Sequence, residues 1–277
     1  SAMPVAASPC CACQALSRMK LLERRISDRR VLKLLTKWLE AGVMEEGRWH
    51  ATTTGAPQGA VISPLLSNIF LHVFDLLWER KAKGVGVLVR YADDFVVLCR
   101  SSRDCEQAEA KVREIFARLG LQLHPDKTRR VDLSRGRQGF DFLGCHLRKR
   151  MSGPIWVRER RHAYFLHRWP SAKSMKRVRQ RIREETARSR QGARDVREVI
   201  KRINPVLRGW GSYFQTGNAA QKFNQVDAYV FARLRRFLVA RKGRNLRPGD
   251  VLKWDRSFFE SHGLHRLRGT VKYPGVA

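Results

Sequence analysis

The chain has 277 residues, of which 43% are hydrophobic, so it is long enough to bury a core and is not globally disordered. Its formal net charge of +31 excludes a surface on which acidic and basic residues are equal in number. It predicts a polyanionic partner such as nucleic acid, because so many positive charges would repel one another if no partner neutralised them. The sequence has no apolar run of membrane-spanning length and no signal-peptide pattern, so we expect a cytoplasmic protein associated with nucleic acid and not with membrane.

The positive charge is concentrated in the second half of the chain. Residues 148–277 carry 33 Lys and Arg against 9 Asp and Glu, whereas residues 1–147 carry 23 against 16. The acidic residues therefore lie mostly in the first half. This division predicts chemistry in the first half and a binding surface in the second.

Residues 1–15 are small, rich in Cys and interrupted by Pro, and they predict a poorly ordered lead-in. Beyond them, apolar residues recur at spacings of three and four, which predicts amphipathic helices. These helices are expected at 16–41, 64–79 and 102–119. β-Branched and aromatic runs predict strands. The strands are expected at 85–91, 95–99, 121–123, 131–133 and 140–147.

Residues 148–170 are basic and irregular, and their Gly and Pro residues predict a linker. Helical spacing returns beyond this segment and predicts helices at 173–190, 195–210 and 222–242. The expected fold class is therefore α+β, with a small antiparallel sheet and its helices followed by an all-helical part.

The six cysteines give weak metal hypotheses. Cys10 and Cys13 form one C-x-x-C pair, but no second pair or suitably spaced His follows, so free thiols are the better interpretation. The His262 and His265 pair likewise has only Glu260 as a further ligand nearby in the sequence.

The turn between the strands 85–91 and 95–99 carries two adjacent carboxylates, Asp93 and Asp94. Carboxylates beside a buried sheet are costly unless positive charge compensates them, and a divalent ion does so. Mg²⁺ prefers carboxylates with phosphate oxygens, and two such ions can stabilise a phosphoryl transfer. Taken alone, however, these two residues fit a solvated Asp-Asp turn better.

Four ordered motifs change this interpretation, because they resemble motifs of group II intron reverse transcriptases. They are Gly-Ala-Pro-Gln-Gly-Ala-Val-Ile-Ser-Pro at 55–64, Tyr-Ala-Asp-Asp at 91–94, Gly-Leu-Gln-Leu-His-Pro-Asp-Lys-Thr at 120–128 and Phe-Asp-Phe-Leu-Gly at 140–144. Further along, Leu-Arg-Gly-Trp-Gly-Ser-Tyr-Phe at 207–214 resembles the thumb, or maturase domain X. The resemblance implies a partial polymerase palm over 16–147, and a thumb with a basic C-terminal tail over 171–277.

The resemblance also implies roles for individual residues. Asp93 and Asp94 would be catalytic ligands of Mg²⁺, and Tyr91 would pack near the primer end. Further contacts to nucleotide or primer–template are implied for Gln58, Gly59, Lys127 and Gly144. Gln58 could instead cap a loop, and Lys127 could be an ordinary surface lysine.

One departure from the family concerns the first catalytic aspartate, which the family places on a strand upstream of the helix that begins here near Leu16. The acidic residues before Gly55 do not follow a β-branched strand. We therefore expect a chain shortened at its N-terminus, without fingers, whose palm sheet lacks a strand and whose metal site lacks a ligand.

The helix predicted at 173–190 is the strongest candidate for RNA binding, because its cations would cover nearly every face and favour phosphate contact over simple solvation. Its cations are Lys173, Lys176, Arg177, Arg179, Arg181, Arg183, Arg188 and Arg190. The implied partners are structured intron-type RNA and an RNA/DNA primer–template. A partner chain or self-association could complete the palm.

The function implied by the resemblance is RNA-directed DNA synthesis together with a maturase role. Because a metal ligand is expected to be missing, polymerase activity of the unassisted chain is not expected. The alternatives are an RNA-binding maturase remnant without catalysis, or a decayed fragment.

Overall fold

A computed structural model of the chain describes residues 2–9, 22–23, 26–40, 43–45, 48–50, 63–126, 128–187, 195–247 and 249–272. The chain forms two compact units, residues 1–138 and 139–277. Both units combine helices with small antiparallel sheets, which confirms the α+β class. Within the described residues, no helix has the length and apolar character needed to cross a membrane.

The first unit contains a four-stranded antiparallel sheet with helices. Its elements are β1 (Ala2–Pro9), α1 (Arg29–Glu40), β2 (Val43–Glu45), β3 (Arg48–His50), α2 (Ser63–Lys81), β4 (Val87–Tyr91), β5 (Asp94–Leu98), α3 (Ser102–Leu119) and β6 (Leu121–Leu123). The sheet has the spatial order β4, β5, β1, β6, and β2 pairs with β3 in a separate ribbon. The β4–β5 hairpin and the helices α2 and α3 confirm predictions made from sequence.

Strand β1 contradicts the prediction of a poorly ordered lead-in for residues 2–9, whereas residues 1 and 10–15 lie outside the described residues. Residues 2–6 pair with β5 and residues 7–9 pair with β6, so no residue of β1 is paired on both sides. This arrangement accommodates Pro4, whose missing N–H would interrupt a strand paired on both edges. Residues 2–9 are therefore a strand of this sheet and lie beside β5.

The core of the first unit lies between the sheet and the helices α2 and α3. The ring of Phe74 on α2 lies 5.1 Å from Phe95 on β5 and 5.1 Å from Phe116 on α3. At the end of α3, Gly120 adopts a left-handed φ of 64°, which terminates the helix where the sequence predicted. The Asp-Asp turn thus extends from a strand that is anchored in an aromatic core.

The second unit contains a three-stranded antiparallel sheet followed by helices. Its elements are β7 (Gly139–Phe142), β8 (Cys145–Met151), α4 (Gly153–Glu159), β9 (Tyr164–Pro170), α5 (Ala172–Glu185), α6 (Val196–Phe214), α7 (Ala220–Lys242), a 3₁₀ turn (Gly243–Asn245), α8 (Asp250–Lys253) and α9 (Arg256–Ser261). The sheet order is β7, β8, β9. Among the described residues after 171 the regular elements are all helical, as predicted.

Two predictions about the region between the sheets are wrong. Residues 148–170 are not a linker, because they form most of β8, the helix α4 and the strand β9. Cations on both faces of β8 hide the two-residue apolar period by which a strand is recognised. Residues 131–133 are not a strand, although Val131 and Leu133 are buried.

Candidate functional site

The tip of the β4–β5 hairpin carries the predicted carboxylates. Tyr91 pairs with Asp94 in the last rung of the ladder, and Ala92 and Asp93 form the two-residue turn. Ala92 has a left-handed φ of 52°, a conformation that is uncommon for a residue with a Cβ. Tyr91, Asp93 and Asp94 are all exposed. The hairpin therefore presents both aspartates together at one end of the sheet.

Arg90, which the sequence analysis missed, ties this turn to helix α2. Its Nε and Nη2 donate to the two carboxylate oxygens of Asp75 at 2.7 and 2.5 Å. Its Nη1 donates to Asn68 Oδ1 at 3.0 Å and to the carbonyl oxygen of Ala92 at 2.9 Å. Only 13% of the Arg90 side chain is exposed, so the pair is shielded from much of the solvent. The Arg90 guanidinium, which is paired with Asp75 on α2, thus also holds the carbonyl oxygen of the left-handed residue Ala92.

A sequence signal for this network existed. Asn68 and Asp75 are seven residues apart on a predicted helix, which places them on one face, and Arg90 immediately precedes the Tyr-Ala-Asp-Asp turn. The sequence could not show that the packing of β4 against α2 brings the Arg90 guanidinium to Asp75.

Strand β1 lies directly beside the carboxylates but adds none. Ala6 is the register partner of Asp94, and Val5 is the partner of Phe95. The sequence of β1, Ala-Met-Pro-Val-Ala-Ala-Ser-Pro, contains no acidic residue. Within the described part of the chain, no group of three or more His, Cys, Asp or Glu is placed to hold a metal ion. Asp93 and Asp94 therefore fit one hydrated divalent ion, whereas a two-ion site needs a further carboxylate.

The remaining nucleotide-contact candidates are only partly described. Gln58, Gly59 and Lys127 lie outside the described residues. Gly144 lies in the β7–β8 turn with a left-handed φ of 73°, and its carbonyl oxygen accepts a hydrogen bond from Ser174 Oγ at 2.7 Å. Within the second unit, this turn is thereby fixed to the first turn of α5.

Helix α5 is amphipathic, with one face in the core and cations on the rest. Met175, Val178 and Ile182 are buried at spacings of three and four. The exposed cations are Lys173, Lys176, Arg177, Arg181 and Arg183. The prediction that cations cover nearly every face is therefore wrong, because the helix packs its apolar stripe into the second unit.

Three of the predicted RNA-binding arginines are not among the exposed cations of α5. Arg179 is partly buried, and its guanidinium carbon lies 5.9 Å from the centroid of the Tyr229 ring, so it contributes to packing. Arg188 and Arg190 lie outside the described residues.

Comparisons with known proteins agree with the hairpin and the helical unit. Residues 14–147 match the family model described as "Reverse transcriptase (RNA-dependent DNA polymerase)", and residues 175–253 match "Group II intron, maturase-specific domain". The two domains occur in the order that the motifs indicated. The chain belongs to the family of group II intron reverse transcriptases and maturases.

Individual relatives cover parts of the chain. Protein YkfC of Escherichia coli K12 is 36% identical over 169 residues, which is 48% of this chain and 43% of that protein. The group II intron-encoded protein LtrA of Lactococcus lactis subsp. cremoris is 26% identical over 197 residues, covering 49% and 32%. The chain thus spans less than half the length of either relative. A solved telomerase from Candida albicans, in complex with the TWJ fragment of telomeric RNA, is 14% identical over 95% of this chain and 48% of that one, with a TM-score of 0.45.

Proposed function

We propose that this chain is an RNA-binding protein of the maturase type that holds structured RNA through its second unit and does not polymerise DNA unassisted. The observation that carries the proposal is helix α5, whose solvent-facing side presents five exposed cations while its other side is fixed in the core. A rigid row of cations complements a phosphate backbone, and each contact releases condensed counterions. The excess of 33 basic over 9 acidic residues in 148–277 extends this field beyond the helix.

The proposal includes only one part of the polymerase chemistry of the family, the binding of a single Mg²⁺. Asp93 and Asp94 would hold one Mg²⁺, which supplies positive charge for a phosphoryl group, and the exposed Tyr91 would lie beside the primer end. Arg90 keeps the turn in the conformation that presents both carboxylates. The neighbouring strand β1 offers Ala6 opposite Asp94, so a second ion would have no carboxylate from that side.

The binding proposal is tested by removing charge from one unit at a time. The test variant replaces Lys173, Lys176, Arg177 and Arg183 by Gln, and the matched control replaces four exposed cations of the first unit, Arg80, Lys81, Lys83 and Arg103. Affinity for a structured RNA is measured by fluorescence anisotropy over a range of salt concentrations. We expect the slope of log affinity against log salt to fall by about 3 in the α5 variant, since each phosphate contact contributes about 0.7–0.9.

The control variant should change this slope much less. Equal losses in the two variants would show that the binding is diffuse attraction to a basic protein and would contradict the assignment to α5.

A further inference from the structure

The strands β8 and β9 share a face whose described residues are exposed or partly exposed. Directly opposed residues of an antiparallel pair lie on the same face. On this face the opposed pairs are His146 with Trp169, Arg148 with His167, and Arg150 with Phe165. None of these six residues is buried. We call this set the aromatic–basic face.

The opposite face of the same strands packs inward at its beginning and is exposed further along, where Leu166 is 55% exposed. It begins with Cys145 and Pro170, which are paired and buried, and Leu147 packs against the helical core of the unit. On the aromatic–basic face, Arg150 and Phe165 are exposed and the other four residues are partly exposed.

Cations and rings are interleaved on the aromatic–basic face. The guanidinium of Arg150 lies 5.3 Å from the centroid of the Trp169 ring, and the His146 ring lies 5.0 Å from the same ring on the strand next to it. At the far end, Phe165, the register partner of Arg150, is 51% exposed. The exposed ring of Phe165 offers a stacking surface, and the Arg150 guanidinium on the same face offers a phosphate contact.

The charges around this face indicate the class of ligand that it can bind. Residues 145–170 contain seven Lys and Arg and one acidic residue, Glu159, which is paired with Arg158 and Arg161. On the neighbouring strand β7, Asp141 is the register partner of His146, with 2.6 Å between Asp141 Oδ1 and His146 Nδ1, so this carboxylate is paired as well. Burial and the nearby Arg150 lower the pKa of His167, so that at neutral pH it presents an uncharged ring. A polyanion with free aromatic surfaces fits this arrangement. Bases inside an A-form duplex are not free to stack on side chains, whereas single-stranded bases are.

We propose that the aromatic–basic face is a stacking platform for single-stranded RNA, with a base on Phe165 and the adjoining phosphate at Arg150. The proposal rests on the proposed RNA-binding function and adds a second kind of contact to it. Helix α5 holds backbone phosphate of any RNA, whereas this face requires unpaired bases. The face therefore lets the chain distinguish a loop or a free end from a helix.

Adjacent residues on opposite faces give matched controls for the test. Phe165→Ala removes the exposed ring, and Leu166→Ala removes a side chain of similar exposure, 55%, from the other face. Arg150→Gln removes a cation of the platform, and Lys149→Gln removes the neighbouring cation of the other face. Each variant is made in the full chain and checked by circular dichroism.

The probes are a labelled, unstructured RNA of about 12 nucleotides, a duplex of the same length, and an abasic strand with the same number of phosphates. We expect Phe165→Ala to weaken binding of the unstructured strand about five- to hundredfold, as loss of a stacked base does. Leu166→Ala should stay within about twofold. Duplex and abasic strand should be bound equally by both variants, since neither offers a base to Phe165. Arg150→Gln should weaken binding of the unstructured strand more than Lys149→Gln does.

Two failures are distinguishable. If the unaltered chain binds none of the three probes at low salt, both the platform and the proposed RNA-binding function are overturned. If it binds them but Phe165→Ala and Leu166→Ala lose the same affinity, or Phe165→Ala loses duplex affinity equally, only the platform is overturned.

Discussion

At the scale of single residues, the hairpin turn depends on Arg90 as much as on the aspartates it presents. The turn contains Ala92 in the left-handed backbone conformation. This conformation is strained for a residue with a Cβ and persists only when the surrounding contacts hold it. The fork of Arg90 supplies that restraint because one guanidinium reaches both the Asp75 carboxylate and the Ala92 carbonyl oxygen.

Arg90→Lys should therefore destabilise the chain although it keeps the charge. A lysine has no planar fork and cannot bind Asp75 in a bidentate way while also reaching Ala92. We expect a loss of about 1–3 kcal/mol in the free energy of unfolding, measured by urea denaturation. Arg118→Lys is the control, because its pair with Glu114 is a solvent-exposed contact within one helix, and such pairs contribute little to stability. Equal effects of the two substitutions would contradict the proposed restraint.

The sequence predicted the position of the carboxylates well and the support around them poorly. Asp93 and Asp94 were placed on a turn because apolar strands flank them on both sides, and this pattern is local. The contact of Arg90 with Asp75 spans fifteen residues and depends on packing, so no local pattern encodes it. The same limit applies to Arg179, which was predicted to bind RNA but packs over Tyr229.

At the scale of elements, helices were predicted more accurately than strands. Helix α3 runs over Ser102–Leu119 as the spacing predicted, because its capping Ser101 and terminating Gly120 are signals within the segment itself. Strand β1 has Pro4 and small residues and gives no such signal. It forms by pairing with β5 and β6, which are distant in the chain.

The position of β1 leads to a test of the metal site. Ala6→Asp would place a carboxylate at the register position opposite Asp94, and Val5→Asp would place it one residue away, where strand alternation assigns the other face. We expect Ala6→Asp to tighten Mn²⁺ binding about tenfold or more, since divalent hard ions prefer additional carboxylate oxygens. Binding is measured by the loss of the free Mn²⁺ electron paramagnetic resonance signal.

Val5→Asp should leave Mn²⁺ affinity near that of the unaltered chain, and Asp93→Ala in the Ala6→Asp background should remove the gain. Equal tightening by both acidic substitutions would show that the ion responds to overall charge, and would contradict the register of β1.

At the scale of the whole molecule, the two units differ in the charges that they carry. The first unit contains the paired aspartates, and the segment 148–277, within the second unit, contains most of the excess positive charge. This division was predictable from composition, whereas the sheet formed by β7, β8 and β9 was not. In the proposed function the second unit binds RNA, whereas strand β1 offers Ala6 and no carboxylate opposite Asp94 for two-ion chemistry.

Primer extension on an RNA template tests this account most directly, when it is run on the same sample in which anisotropy shows that the template is bound. Loss of one ion costs several kcal/mol of barrier, and each ~1.4 kcal/mol is a factor of ten in rate. We therefore predict no detectable extension by the unassisted chain with Mg²⁺, under conditions where the primer–template is saturated. Mg²⁺-dependent extension that disappears in Asp93→Ala would contradict the account, because it would show that another residue of this chain completes the site.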